Sequence, residues 1–280
     1  MKSQTRFDYT TVGHVTADIM PDGSRRPGGT AFYSALQAAR LGLRVLILTR
    51  GAPREIEELI EPYRGELTVE VFPARQTTTL QTSGSGTARS QRVLAWAGAI
   101  AEELRIDTSI LHLAPVTGET PGRWRGRADF VGLTPQGLVR EWSAQNGEIS
   151  SNSPNPRRIP KACDAMVMSE HERASCEGLI SKARQGGAVV AITAGAAATT
   201  ILLPGEGELV VEVPAVEDPS DDVGAGDVFA AAFYVALSEG RAPAGAAAFA
   251  NAAAAVRIVG AGAGAIGTRA AIEARMHAVV

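Results

Sequence analysis

The stretch with the clearest chemical content is Asp221-Asp222-Val223-Gly224-Ala225-Gly226-Asp227, which runs into the apolar, alanine-rich segment Val228 to Leu237. Glycines at a helix start allow unusual dihedrals and close backbone approach. The first N–H groups of a helix lack internal partners and carry the positive end of its dipole, so they cradle anions. A carboxylate inside such a cradle would repel a bound phosphate. Asp227 makes chemical sense there as the group that accepts a proton from a hydroxyl attacking a phosphoryl group. A capping aspartate in a tight turn is the structural alternative. A dinucleotide fingerprint at Gly224-x-Gly226 fits poorly, because that motif opens the first crossover unit and has an acidic residue about 20 positions on. Here the glycines lie near the C-terminus after the polar run Glu217 to Asp222.

A second constellation is Asp18 with Gly28-Gly29-Thr30. Paired glycines at a helix start bring a small polar ligand to the backbone, and a nearby carboxylate can accept two hydroxyl hydrogen bonds. A loop turn with a solvated aspartate is the alternative here.

The elements that must position these groups alternate between strand and helix, which predicts a layered α/β fold with a mostly parallel sheet. Strands are expected at Tyr9 to His14, Arg44 to Thr49, Ile110 to Val116, Asp129 to Thr134, Ala165 to Ser169 and Ala188 to Thr193. Helices are expected at Ala31 to Leu41, Pro53 to Tyr63 and about Glu170 to Gln185, with a buried one at Ala244 to Val259. One region breaks the pattern. Leu67 to Ala74 and Thr77 to Gln81 alternate at period two, and the turn Ser83-Gly84-Ser85-Gly86 leads into Ala88 to Trp96. Residues 66–97 thus read as a small antiparallel flap whose one-sided sheet must cover a ligand or a second subunit. Ser143 to Pro160 reads as a polar surface loop.

Composition excludes several classes. The 280 residues carry 27 Lys+Arg against 30 Asp+Glu, a net charge of −3, too even for a dedicated nucleic-acid binder. Cys163 and Cys176 have no histidine at zinc-ligand spacing, and His14, His112, His171 and His277 are scattered. Trp96, Trp124 and Trp142 read as packing residues, and Arg123 to Arg127 as a solvated basic face. MKSQTRFDYTTVG lacks the apolar core of a signal peptide, and no segment suits a bilayer span, so a cytoplasmic location without membrane contact is expected. Gly260 to Gly267 resembles a phosphate loop, but no Lys-Ser/Thr follows it.

Asp221 to Asp227 with Phe229 resembles the DTxGAGDxF signature of the ribokinase-like (PfkB) family of ATP-dependent sugar and nucleoside kinases. Gly28-Gly29 ahead of a helix ending Arg40-Leu41-Gly42 is similar to that family's N-terminal glycine pair and helix end, and Ser169-x-x-Glu172 to its N-x-x-E element. The resemblance spans almost the whole chain in order. It implies a three-layer α/β/α sandwich, one domain over 1–280, with a mainly parallel central sheet and a small β-sheet lid from about 14–28 and 66–97. It implies Mg-ATP as donor and a sugar, a polyol such as inositol, or a nucleoside as acceptor. Asp227 would be the base, and the amides of Gly224, Ala225 and Gly226 would stabilise the transferring phosphoryl. Asp18, Gly28, Gly29 and Thr30 would hold the acceptor, Thr193, Gly195 and Asn251 the nucleotide, and Glu172 would organise magnesium through water. A homodimer through the lid is the further implication.

Three positions depart from the family pattern. Asp222 replaces the usual Thr or Ser, Ser169 the usual Asn, and Ala198 a glycine of the nucleotide strand. These departures leave open a catalytically weak relative that senses a sugar or nucleotide, although a pure binder has no use for Asp227. Leu133 to Gly137 and Gly28 to Tyr33 look most like inositol and nucleoside kinases, with a sugar or polyol ahead. Phe32, Tyr33 and Phe72 are the aromatic candidates for stacking a nucleoside base.

Overall fold

The computed structural model describes residues 6–83 and 90–277. Among the described residues, fifteen strands and seven α-helices follow in chain order. The strands are β1 (Phe7–Val12), β2 (Thr16–Ile19), β3 (Arg25–Gly28), β4 (Val45–Gly51), β5 (Thr68–Pro73), β6 (Thr79–Ser83), β7 (Ser90–Ala95), β8 (Arg105–Leu113), β9 (Arg125–Leu133), β10 (Arg140–Trp142), β11 (Ile149–Ser151), β12 (Ala165–Ser169), β13 (Val189–Ala194), β14 (Ala197–Leu202) and β15 (Glu208–Val211). The helices are α1 (Thr30–Arg40), α2 (Pro53–Ile60), α3 (Gln136–Val139), α4 (Glu170–Gln185), α5 (Ala225–Ser238), α6 (Pro243–Val259) and α7 (Arg269–His277).

The main sheet has the order β15-β14-β13-β12-β9-β8-β1-β4-β5. It is parallel from β13 through β5, and β14 and β15 extend it antiparallel. Buried apolar strands such as Ala165–Ser169 and Val45–Gly51 suit a sheet covered on both faces. One face packs on α1, α5 and α6, where the late alanines let helices and sheet approach closely. The other packs on α4, with Ile100, Leu104, Ile159 and Cys163 from irregular segments completing that layer. This is the expected layered α/β fold with a mainly parallel sheet.

A separate four-stranded sheet, β3-β2-β6-β7, stands apart from it. Two expectations need correction. Thr68–Pro73 does not belong to this small sheet, since it pairs parallel with β4 as the edge of the main sheet. Its two-period alternation reflects an edge strand with one face on the core. The stretch Ser143 to Pro160 is not a plain surface loop, because β11 lies within it and pairs with β10 just ahead of it, and Glu148 bridges to Arg92 of β7. Of the turn expected at 83–86, all but Ser83 lies outside the described residues. Trp96 and Trp142 meet at 5.5 Å beside the small sheet, and Trp96 remains partly exposed. Cys163 and Cys176 are free and buried. Among the described residues, no helix is long and apolar enough to cross a membrane.

Candidate active site

A cavity of about 670 Å³ opens beside the ends of β2, α1, α3 and the start of α5. It brings together Asp18, Gly29 and Thr30 from the N-terminal constellation with Gly224, Gly226 and Asp227 from the C-terminal one. In open α/β sheets, ligand crevices lie outside the carboxyl ends of the strands. The two sequence constellations therefore form one site.

The start of α5 is shaped by Gly224, which caps the helix in the left-handed region at φ +79 with no side-chain cap. The Ala225 amide donates to the Asp222 carbonyl at 3.1 Å, so of the three amides expected to face phosphate this one is already engaged. Gly226 has nothing within 4 Å of where its Cβ would stand, so its backbone lies open on the cavity side. Asp227 falls in the first turn and is partly exposed to the cavity. Its carbonyl accepts from the Ser34 hydroxyl at 3.0 Å, tying α5 to α1. Burial pushes its carboxyl up to about 7; the Thr30 hydroxyl and Arg140 work against that rise, and Glu172 and Asp18 reinforce it. Thr30 is buried and its hydroxyl has no partner at ordinary hydrogen-bond length.

Asp18 is 5% exposed and accepts from the Thr16 hydroxyl at 2.6 Å. Burial raises its carboxyl to about 6, opposed by Thr16 and Arg140. The carboxyl folds over the backbone of Gly28, where a Cβ would lie 2.1 Å from Oδ2. Gly29 caps α1 at φ +88, with its would-be Cβ 2.3 Å from the His14 carbonyl oxygen. The glycine pair thus makes room first for a carboxylate and then for a backbone crossing. Behind it, the buried Glu119 carboxylate accepts amides from His14, Val116 and Thr117 and so joins the ends of β1 and β8.

Arg140 is the group that sequence reasoning missed. It follows α3, lines the cavity, and donates to Gln91 Oε1 at 3.1 Å and to the Val116 carbonyl at 3.4 Å. Its charge acts on Asp227, Asp18, Glu172 and Glu119 together. No local motif marks it, because a turn of chain after β9 decides where it points. Of the aromatic candidates only Tyr33 lines the cavity; Phe32 is wholly buried and Phe72 packs against the opposite core layer.

The proposed nucleotide residues divide. Thr193 stands in register with Ser169 at the end of β13, and Gly195 makes the turn into β14 at φ +64. Asn251 is engaged inside the fold. It is 3% exposed, its Oδ1 accepts from the Thr199 hydroxyl at 2.8 Å, and its Nδ2 donates to the Glu212 carbonyl at 3.1 Å. It holds β14 and the segment after β15 onto α6. Glu172 Oε2 accepts from the Ser169 amide and hydroxyl at 2.9 and 3.0 Å, as a box at the start of α4. No cluster of three or more His, Cys, Asp or Glu suited to a metal occurs among the described residues. Magnesium keeps several waters and takes one or two carboxylates besides substrate phosphates, so a single carboxylate acting through water, that of Glu172, would serve if the ion binds here. His112, fully buried, meets the Tyr9 hydroxyl and Thr134 at 2.9 and 2.7 Å, and burial pushes it down to about 3. It is a neutral core residue.

Residues 159–269 match the pfkB family carbohydrate kinase family. Among solved structures, the chain resembles a pyrophosphate-dependent myo-inositol-1 kinase converted into a myo-inositol-3 kinase, at 19% identity over 96% of this chain and 99% of that one, with a TM-score of 0.71. It resembles Arabidopsis thaliana ribokinase complexed with ribose and ATP at 17% identity, over 97% and 99% of the two chains, with a TM-score of 0.74. It resembles the Methanocaldococcus jannaschii nucleoside kinase, an archaeal member of the ribokinase family, at 15% identity, over 98% and 99%, with a TM-score of 0.73. No curated protein matches the sequence significantly. The expected resemblance to the ribokinase-like (PfkB) family is borne out by sequence over residues 159–269, and the solved structures share the fold over nearly the whole chain.

Proposed function

We propose that this chain, whose residues 159–269 match the PfkB family and whose fold is ribokinase-like, transfers the γ-phosphoryl group of Mg-ATP to a hydroxyl of a small sugar or polyol. One observation carries the reading: Asp18 and Asp227 face a single polar cavity at the open start of α5. In this reading Asp227 takes the proton of the acceptor hydroxyl while that oxygen bonds to the γ-phosphorus and the β–γ bridge bond breaks. A carboxyl near 7 is matched to such proton transfer at neutral pH. The open Gly226 backbone and the α5 dipole stabilise charge on the transferring group. Asp18 and the backbone at Gly28, Gly29 and Thr30 hold the remaining hydroxyls, and Arg140 keeps the two carboxylates from opposing each other unscreened. When bound, magnesium supplies countercharge to the donor phosphates. Gln91, Gln136 and Arg140 around the cavity, against Tyr33 as its single aromatic among the described residues, favour a polyhydroxylated acceptor over a nucleoside. The small sheet of β2, β3, β6 and β7 acts as the lid, excluding water that would compete as acceptor. Its exposed Leu94 and Trp96 suit a contact between two copies.

Pyrophosphate as donor is the second reading. The burial of Asn251 and its bonds to Thr199 and Glu212 favour it, since that amide is already engaged within the fold. Supplying ATP or pyrophosphate with a panel of sugars, inositols and nucleosides separates the donors. Asp227→Asn should lower turnover by about 10²- to 10⁴-fold with donor binding retained. Near-normal turnover in that variant overturns the assignment. Ligand-induced thermal shifts with no turnover on any acceptor would instead mark a sugar or nucleotide sensor.

A further inference from the structure

The loop that leads into α5 is built around a buried cation. The Arg257 side chain, in the last turn of α6, is 0% exposed. Its Nη1 donates to the carbonyls of Asp221 and Gly260 at 3.1 and 3.0 Å, and its Nη2 to Asp221 Oδ2 and the Val223 carbonyl at 3.1 and 2.6 Å. The same Asp221 carboxylate accepts the amides of Val223 and Gly262, both at 2.9 Å. Segments 221–223 and 260–262 are therefore both gathered onto one guanidinium, and the first of them runs directly into Gly224. A carboxylate and three carbonyl oxygens converging on one buried point form the all-oxygen donor set that hard cations take. A guanidinium fills it here, with four N–H groups matched to four oxygens.

Resting on the phosphoryl-transfer reading for its link to catalysis, we infer that Arg257 is a built-in cation that positions the anion-binding start of α5, so that this protein needs no added monovalent cation. Deleting one partner of a buried charge cluster leaves the remaining oxygens unpaired. Arg257→Ala therefore opens a cage that potassium or free guanidinium can enter from solution.

The experiment compares wild type, Arg257→Ala and Arg257→Lys in chlorides of potassium, sodium, tetramethylammonium and, at millimolar concentration, guanidinium, at matched ionic strength. Thermal unfolding, titration with ATP or pyrophosphate, and turnover are read in parallel. Wild type should vary by no more than about twofold in turnover and affinity among the salts. Arg257→Ala should bind the phosphate probe about tenfold or more weakly in tetramethylammonium, with potassium or guanidinium restoring affinity and melting temperature. Arg257→Lys should fall between the two. A wild type that loses turnover or probe affinity by about tenfold without potassium overturns the inference. So does an Arg257→Ala variant that no small cation improves over tetramethylammonium. Should Arg257→Ala not fold, the wild-type salt series and Arg257→Lys decide. Should no acceptor be turned over, unfolding and probe binding still test the built-in cation apart from the proposed reaction.

Discussion

The ring of Tyr33 fills the space in which a Cβ on Gly224 would stand, only 2.4 Å from Cδ1. Tyr33 belongs to α1 and Gly224 caps α5, so this contact sets the two ligand-facing helix starts against each other. Gly224 is also left-handed, and an L side chain there adds strain to the clash. Gly224→Ala is expected to destabilise the fold by about 1–3 kcal/mol. Gly226→Ala should change stability by less than about 0.5 kcal/mol, since its methyl would meet open space. That methyl would instead obstruct the cavity, so phosphate-probe affinity should drop. Melting curves and probe titrations on both variants check the contrast.

Turnover should depend on pH through Asp227. A base must be unprotonated, and its carboxyl is held near 7 by burial, so kcat/KM should rise with pH along an acidic limb centred near 7. Arg140 and Thr30 each pull that carboxyl down, so Arg140→Met and Thr30→Val should move the limb to higher pH. A pH–rate profile of each variant measures the shift, and an unmoved limb would refute the coupling.

Asp18 should oppose stability at neutral pH. Its folded value of about 6 lies above its ordinary 3.8, so the folded state binds more protons and stability falls as pH rises through that window. Asp18→Asn retains an oxygen for the Thr16 hydroxyl and carries no charge. It should be more stable than wild type by about 2 kcal/mol at pH 8, with the difference vanishing near pH 4. Denaturant unfolding at the two pH values tests the sign, and the same variant should bind a polyol acceptor more weakly.

Glu119 should behave in the opposite sense. Burial works to raise its carboxyl, but His14 and the amides of His14, Val116 and Thr117 overcome that and leave it lowered. Its contribution is thus present above the usual carboxylate range and lost as pH falls through the folded value. Glu119→Gln replaces one acceptor oxygen with an NH₂ facing donors and should cost about 2–4 kcal/mol. Unfolding measurements at pH 7 and below check both size and direction.

Much of this arrangement is legible in the residue order. The Gly224–Asp227 run, the Gly28–Gly29 pair and the alternation of buried strands with helices are local signals, each forced by backbone geometry or by burial periodicity. Edge strand β5 was misassigned because period-two alternation marks a half-buried strand without saying which sheet it joins. The partners of Asn251 are out of reach for a similar reason. A polar residue in an apolar helix signals a satisfied partner, and only packing shows that Thr199 and Glu212 are among them.

Glycine placement, the carboxylates and hydrophobic period act over a few residues, so the class of fold and the proposed chemistry are readable from residue order alone. Tertiary structure decided what those groups feel. Burial sets Asp18 and Asp227 near 6 and 7, Arg140 reaches both from a turn no motif marks, and Arg257 threads a full charge into the loop ahead of α5. Electrostatic environment depends on neighbours brought together across the whole chain, so spacing along it cannot supply that information.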